Sequence, residues 1–223
     1  MQEQDYSFLE TFPFWEHLSN DEKNLLMQNI VLMKYPKGYN IHNGSEGCAG
    51  LMYIKTGSLR AYLLSEDGRE ITLYRLYEGD VCILSAACVL DEITFDVSVD
   101  TESPCEIYTV NASVLHHLAD RNIYVEAFNY RMAADRFSDV MWAMQQILFM
   151  GMDKRLAIFL TDESSKCKSD EIHLTQEQIA KYMGTAREVV SRMIKYFAGE
   201  GIVESFRGGI RILDKRKLRS YLQ

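Results

Sequence analysis

The sequence predicts an α+β chain in three parts: an N-terminal β-roll of cupin-like type, a long central helix and a C-terminal winged helix-turn-helix. Three observations carry this reading. Glycines at 38, 44, 47, 50, 57, 68 and 79 punctuate β-rich runs in the first third of the chain. Residues 123–150 contain neither proline nor glycine. Two short capped helical patterns meet at Gly184, and two β-rich stretches around Gly208-Gly209 follow them. The 223 residues thus divide into expected domains 1–120, 121–151 and 152–223, sizes that suit modest independent units.

The first part opens with a helix from Ser19 to about Asn29, where Ser19 caps and Glu22 completes a capping box. Strand-like runs follow. Ile71-Thr-Leu-Tyr-Arg-Leu-Tyr77 is β-rich throughout, and Ser65-Glu-Asp-Gly68 has the residues of a hairpin turn. Short strands at this spacing predict a small sandwich or barrel. His116-His117 falls on a short polar helix, where a solvated face explains it better than a ligand pair.

In the central helix Tyr130, Ala133, Phe137, Val140, Met144 and Ile147 alternate spacings of three and four, the pattern of a coiled-coil seam. Phe128, Met132, Met141 and Leu148 form a second apolar face. A helix apolar on two sides is expected to be buried by its own domain on one and by a second copy of the chain on the other. A homodimer is therefore expected.

In the last part Thr175 is an N-cap with Gln178 at the box position, and the helix it opens carries Ile179, Ala180 and Met183 on one face. Gly184 suits the left-handed turn that ends such a helix. Thr185, with Glu188 three residues on, is expected to cap the next helix, whose apolar stripe is Val189, Met193, Ile194 and Phe197. Arg187, Glu188, Ser191 and Arg192 are left toward solvent. A Glu–Arg pair one turn apart is commonly just a surface ion pair. Here the residue types also suit base reading: arginine donates twice to guanine O6 and N7, and glutamate accepts from cytosine N4. Glu200–Phe206 and Ile210–Leu213 read as two strands about Arg207-Gly208-Gly209, which makes the motif a winged helix.

The run Gly184-Thr-Ala-Arg-Glu-Val-Val-Ser-Arg192 resembles the recognition-helix signature of the Crp–Fnr family of bacterial transcription regulators. Tyr35-Pro-Lys-Gly38, Tyr53-Ile-Lys-Thr-Gly57 and Glu66-Asp-Gly-Arg-Glu-Ile-Thr72 are similar to the glycine framework of that family's cyclic-nucleotide-binding-type domain. The resemblance implies a homodimer on palindromic double-stranded DNA, with RNA polymerase as a second partner and a small-molecule or redox signal in the β-roll. It implies Arg187, Glu188, Ser191 and Arg192 as base-reading residues, and a TTGA- or TGTGA-like half-site. Thr175, Thr185, Lys195 and Arg207 are the candidate phosphate contacts.

The charge distribution agrees. Net charge is −8, yet residues 153–223 hold 14 Lys+Arg against 10 Asp+Glu, while the rest holds 10 against 22. The basic part, including Arg211, Lys215, Lys217 and Arg219, can meet phosphates, and the acidic part should stay off them. From Leu76 through Asp120 there is no Lys or Arg and there are nine acidic residues. A cyclic nucleotide needs its phosphate compensated, so cyclic AMP or GMP is not expected here. Cys48, Cys82, Cys88 and Cys105 are candidates for a redox switch or for an iron–sulfur cluster or haem site, with plain core packing as the alternative. The Fnr branch's N-terminal cysteine cluster has no counterpart before Cys48. Five cysteines at irregular spacing do not form a disulfide framework, and nothing resembles a signal or a membrane span, so a cytoplasmic location is expected. No nucleophile elbow, Walker loop or His-Glu-x-x-His occurs, which argues against an enzyme. A ligand-sensing regulatory module that does not bind DNA is the competing class, and it would not need the Arg187–Glu188–Arg192 face.

Overall fold

The computed structural model describes residues 6–43, 50–68, 70–83 and 97–222. Cys48 and Cys88 lie outside the described residues. Ser19 opens helix α1 (Asn20–Gln28) through the expected box: its hydroxyl accepts from the Glu22 amide at 3.3 Å, and the Glu22 carboxylate accepts from the Ser19 amide at 2.8 Å. Strands β1 (Ile30–Tyr35), β2 (Asn40–Asn43), β3 (Leu51–Thr56), β4 (Ser58–Leu64), β5 (Glu70–Tyr77), β6 (Val81–Ile83), β7 (Ser98–Thr101) and β8 (Cys105–Val110) follow. They form two sheets, ordered β1-β8-β3-β6 and β2-β7-β4-β5.

Strand β8 shows how the roll is filled. Successive side chains point to opposite faces, so Cys105 and Ile107 join one core and Tyr108 and Val110 another. The first core, between the sheets, also takes Met52 and Ile54 from one sheet and Leu59, Ala61 and Val99 from the other. The second is aromatic. Phe8 stacks on Tyr108 with ring centroids 4.5 Å apart, and Phe12 and Phe14 meet Phe128 edge-on. Phe128 comes from the central helix, which ties that helix to the roll.

After α2 (Ala112–Ala119), with His116 and His117 exposed, comes the central helix α3 (Ile123–Phe149). Val125 and Phe128 enter the aromatic core, and Val140 packs against the core between the sheets. Tyr130, Phe137, Met141, Met144 and Leu148 are exposed, Phe137 by 68% and Leu148 by 63%. No helix among the described residues is long and apolar enough to cross a membrane.

The C-terminal part comprises α4 (Met152–Cys167), β9 (Glu171–Ile172), α5 (Gln176–Met183), α6 (Arg187–Gly199), β10 (Val203–Phe206), β11 (Gly209–Ile212) and α7 (Lys215–Ser220). Its core joins Leu156 and Leu160 of α4 to Ile179, Ile194, Phe197 and Ile210. The two expected wing strands are present. The sequence pattern missed the third, β9, which pairs with β11 through Ile210–Ile172 and Arg211–Glu171. A two-residue strand has no period to detect. Packing divides the chain into two units, 1–63 with 73–140, and 64–72 with 141–223.

Gly209 shows what the third strand demands. A Cβ there would lie 2.5 Å from the Ile172 carbonyl and 2.4 Å from the Phe206 ring. Gly209→Ala should therefore push β9 and the wing apart and cost about 1–3 kcal/mol, read as a lower thermal midpoint of the C-terminal part by calorimetry.

Candidate nucleic-acid interface

Helix α5 begins as expected. The Thr175 hydroxyl accepts from the Gln178 amide at 3.2 Å, and the Gln178 side chain accepts from the Thr175 amide at 2.9 Å. Thr175 is thereby committed to the cap. The backbone amides of Gln176 and Glu177 in the first turn are the ones left for an anion. Ile179, Ala180 and Met183 are buried, as the sequence pattern requires.

The turn into α6 corrects the sequence expectation at two residues. Gly184 adopts the left-handed conformation (φ +60°), and the Thr185 amide reaches back to the Ala180 carbonyl at 3.0 Å. Thr185 is thus part of the closure of α5. The N-cap of α6 falls one residue later, at Ala186, which makes no side-chain cap bond. The helical phase shifts with it, so Val190, Ile194 and Phe197 are fully buried while Val189 is only half-buried. The loop geometry, invisible to a capping motif, decides this.

The phase leaves Glu188, Arg192 and Lys195 exposed together on α6, with Ser191 half-buried at their shoulder. Glu188 and Arg192 form no ion pair with each other or with any other described residue, and Lys195 has none either. Both the carboxylate and the guanidinium are therefore available to an incoming groove. Arg187, the first residue of α6, stands 3.9 Å from the exposed Glu177 carboxylate, a weak contact that water and salt screen. Between the start of α5, Arg187 and the wing lies a cleft of about 510 Å³, lined also by Ser205, Phe206 and Gly208. Arg207 is exposed at the tip of the wing and unpaired among the described residues.

Other basic residues serve the domain itself. Arg211 bridges Glu171 at 2.8 Å and Glu204 at 3.2 Å, tying the three wing strands together. Lys215 pairs with Asp170, and Lys217 with Glu200 at 3.0 Å. The patch free for phosphates is thus narrower than the sequence suggests: Lys195, Arg207 and, on α7, Arg216 and Arg219.

Comparison with known proteins places this geometry. Residues 154–221 match the Crp-like helix-turn-helix domain and residues 32–122 the cyclic nucleotide-binding domain. A solved transcriptional regulator of the Crp/Fnr family from Eubacterium rectale is 40% identical, with the match covering 96% of this chain and 99% of that one at a TM-score of 0.89. The chain belongs to the Crp/Fnr family. Among curated relatives, electron transport regulator A of Shewanella oneidensis is 24% identical over 205 residues, 86% of this chain and 79% of that protein. The cAMP-activated global transcriptional regulator CRP of Pasteurella multocida is 22% identical over 186 residues, 80% of this chain and 88% of that protein. This Crp/Fnr regulator is a DNA-binding transcription regulator with an α+β fold of the type expected.

In the β-roll, Cys82 and Cys105 are buried and neither is in a disulfide. Cys82 is fully buried, and burial pushes its thiol up to about 12, with Arg136 pulling back. The Cys105 thiol donates toward the Ser103 carbonyl at 3.1 Å and the Ser58 carbonyl at 3.4 Å. A metal-ligating thiolate needs the opposite environment. Among the described residues no group of three His, Cys, Asp or Glu is placed to hold a metal ion. Burial at Cys82 favours the core-packing reading of that residue.

One residue that shapes the reading head had no sequence signal. Arg155 of α4 is 9% exposed and its guanidinium donates to the Met183 carbonyl, the last of α5. It holds the turn that aims α6. Arg155→Met keeps the apolar stem but leaves that carbonyl without its donor, and should cost about 1.5–3 kcal/mol of stability. Denaturant unfolding should show this, together with weakened operator binding although no DNA-facing side chain has changed.

Proposed function

We propose that this regulator works as a homodimer that reads an inverted repeat with a TTGA- or TGTGA-like half-site, under control of a signal received in the β-roll. The observation that carries the reading is the unpaired Glu188–Arg192 face of α6, set beside Lys195 and the cleft toward Arg207. In it Arg192 donates to guanine and Glu188 accepts from cytosine. Arg187 and Ser191 add base or backbone contacts. Lys195, Arg207 and the amides at the start of α5 bind phosphates, with Thr175 and Thr185 shaping the loops that present them. RNA polymerase is the second partner, and the bacterial cytoplasm, where operator DNA resides, is the place of action. Cyclic nucleotides are not the signal, since the Leu76–Asp120 segment offers no cation to a phosphodiester.

Dimerisation is assigned to α3. Of the seam Tyr130, Ala133, Phe137, Val140, Met144 and Ile147, the members Tyr130, Phe137 and Met144 are well exposed, whereas Val140 is turned onto the roll. Met141 and Leu148 complete the exposed stripe, so the proposed partner-facing line is Tyr130, Phe137, Met141, Met144 and Leu148. Their steps of seven, four, three and four residues suit two-fold helix pairing, and a two-fold dimer suits a palindrome.

Binding assays test the first assignment. Arg192→Ala should cost about 1–3 kcal/mol on the cognate palindrome and much less on random duplex. Lys195→Ala should weaken both alike and reduce the slope of log affinity against log salt by about one. Equal losses on both duplexes for Arg192→Ala would remove it as a base reader.

Light scattering tests the second. Phe137→Asp and Leu148→Asp place an unpaired charge in the proposed interface, where burial is strongly unfavourable. Both should give monomers that keep their secondary structure and lose palindrome binding. A tight dimer in both would move the interface elsewhere.

A further inference from the structure

Within the C-terminal part, α4, α7 and the turn at Lys168-Ser169 line a cavity of about 260 Å³. Its wall follows from helical spacing. Thr161, Ser165 and Lys168 stand at steps of four and three, so they share one face of α4 and its end. Ile212 and Leu218, both buried in the core of the domain, form the floor.

Three cations line the same cavity, and two of them have no acid to answer them. The Asp170 carboxylate is committed to Lys215 and, at 3.5 Å, to the Ser164 hydroxyl. The side chains of Lys168 and Arg219 make no hydrogen bond or ion pair among the described residues. Lys168 is also held in a conformation that a lysine resists. As the C-cap of α4 it takes φ +49° and ψ +35°, and it is the one residue other than glycine with positive φ among the described residues. Glycine or asparagine is the usual choice at such a helix end. The local fold therefore gives no reason for a lysine there, and strain of this kind collects at working sites.

The hydroxyls set the chemistry of the remaining wall. Thr161 and Ser165 donate to the Ala157 and Thr161 carbonyls of their own helix, at 2.7 and 2.9 Å, which leaves their oxygens to accept. Ser169 is the reverse: its oxygen accepts from the Glu171 amide at 3.1 Å, leaving its hydrogen to donate. Two acceptors and a donor beside two free cations suit a ligand with hydroxyls at one end and an anionic group at the other. An arginine fork and a lysine point charge together suit phosphate. At about 260 Å³ the cavity falls just below the roughly 300–1,000 Å³ of drug-sized sites, so the ligand must be compact.

Duplex DNA fits this place less well. Helix α7 is fixed to the C-terminal end of α6 through Tyr196–Tyr221 at 3.2 Å and Lys217–Glu200 at 3.0 Å. Recognition helices read bases with their N-terminal residues, so α7 joins α6 at the end remote from Glu188.

We propose that this cavity binds a small sugar or polyol phosphate, with its phosphate on Lys168 and Arg219 and its hydroxyls on Thr161, Ser165 and Ser169. The site is separate from the operator-reading face and goes beyond the regulator reading above.

The full-length protein is titrated by calorimetry, at fixed ionic strength, with glycerol 3-phosphate, ribose 5-phosphate and glucose 6-phosphate. Glycerol, ribose, glucose and inorganic phosphate are titrated alongside. At least one ester should bind at least tenfold tighter than both its uncharged parent and inorganic phosphate. Lys168→Gly should weaken that binding at least tenfold while the ligand-free melting temperature holds or rises, because glycine relieves the left-handed backbone. Arg219→Gln should weaken it as much, and Arg219→Lys, which keeps the charge but loses the fork, should fall between. A panel that does not bind, esters no tighter than inorganic phosphate, or binding unmoved by Lys168→Gly and Arg219→Gln would each overturn the proposal. Operator affinity, measured for the same variants, should stay within twofold of the wild type. A loss on DNA with a salt slope reduced by about one in each variant would make the two cations backbone contacts and reject the phosphate-ester site.

Discussion

The reading head depends on a turn whose backbone is satisfied from two directions. Gly184 takes the left-handed conformation that lets the Thr185 amide close onto Ala180, and Arg155 donates from beneath to the Met183 carbonyl. Together they fix where α5 stops and α6 starts, and so which residues of α6 face the core. With Val190, Ile194 and Phe197 buried, Glu188, Arg192 and Lys195 have no choice but to face outward. A rotation of one residue would exchange an exposed polar side chain of α6 for an apolar one. The α4 helix that supplies Arg155 is therefore as much a part of the proposed recognition as α6 itself.

The central helix meets the same kind of constraint on a larger scale. One side gives Val125 and Phe128 to the aromatic core and Val140 to the roll interior. An adjoining face keeps Phe137 and Leu148 open to solvent, and an apolar stripe of this kind marks an interaction surface. In the proposed dimer α3 would be packed on both faces and would pass a change from one to the other, because tightly packed interfaces shift between discrete arrangements. On the proposed reading, a signal received in the β-roll would bias the pairing of two copies and the separation of their C-terminal parts.

Electrostatics divides the labour within the C-terminal part. Arg211, Lys215 and Lys217 are neutralised by carboxylates of their own domain and hold the wing and α7 in place. Lys195 and Arg207 remain unpaired. A narrow set of free cations around the α6 face favours a defined pose on the duplex over general adhesion to DNA, since the sequence-independent attraction grows with the number of phosphates neutralised.

What the sequence determined by itself was local. The capping boxes at Ser19 and Thr175, the stop at Gly184, the strand-rich β-roll, the unbroken central helix and the exposed Glu188–Arg192 pair all follow from residue types at short spacing. Their energetics involve neighbours three or four positions away, so a linear reading can see them. The start of α6 at Ala186 instead of Thr185, the burial of Val190 over Val189, and the turning of Val140 onto the roll are settled by packing, which shifts a helix by a residue at little local cost. Strand β9 and the role of Arg155 join residues far apart in the chain. No periodicity records such meetings. They exist only once the sheets and helices are in place, and in this protein they decide how the legible motifs are aimed.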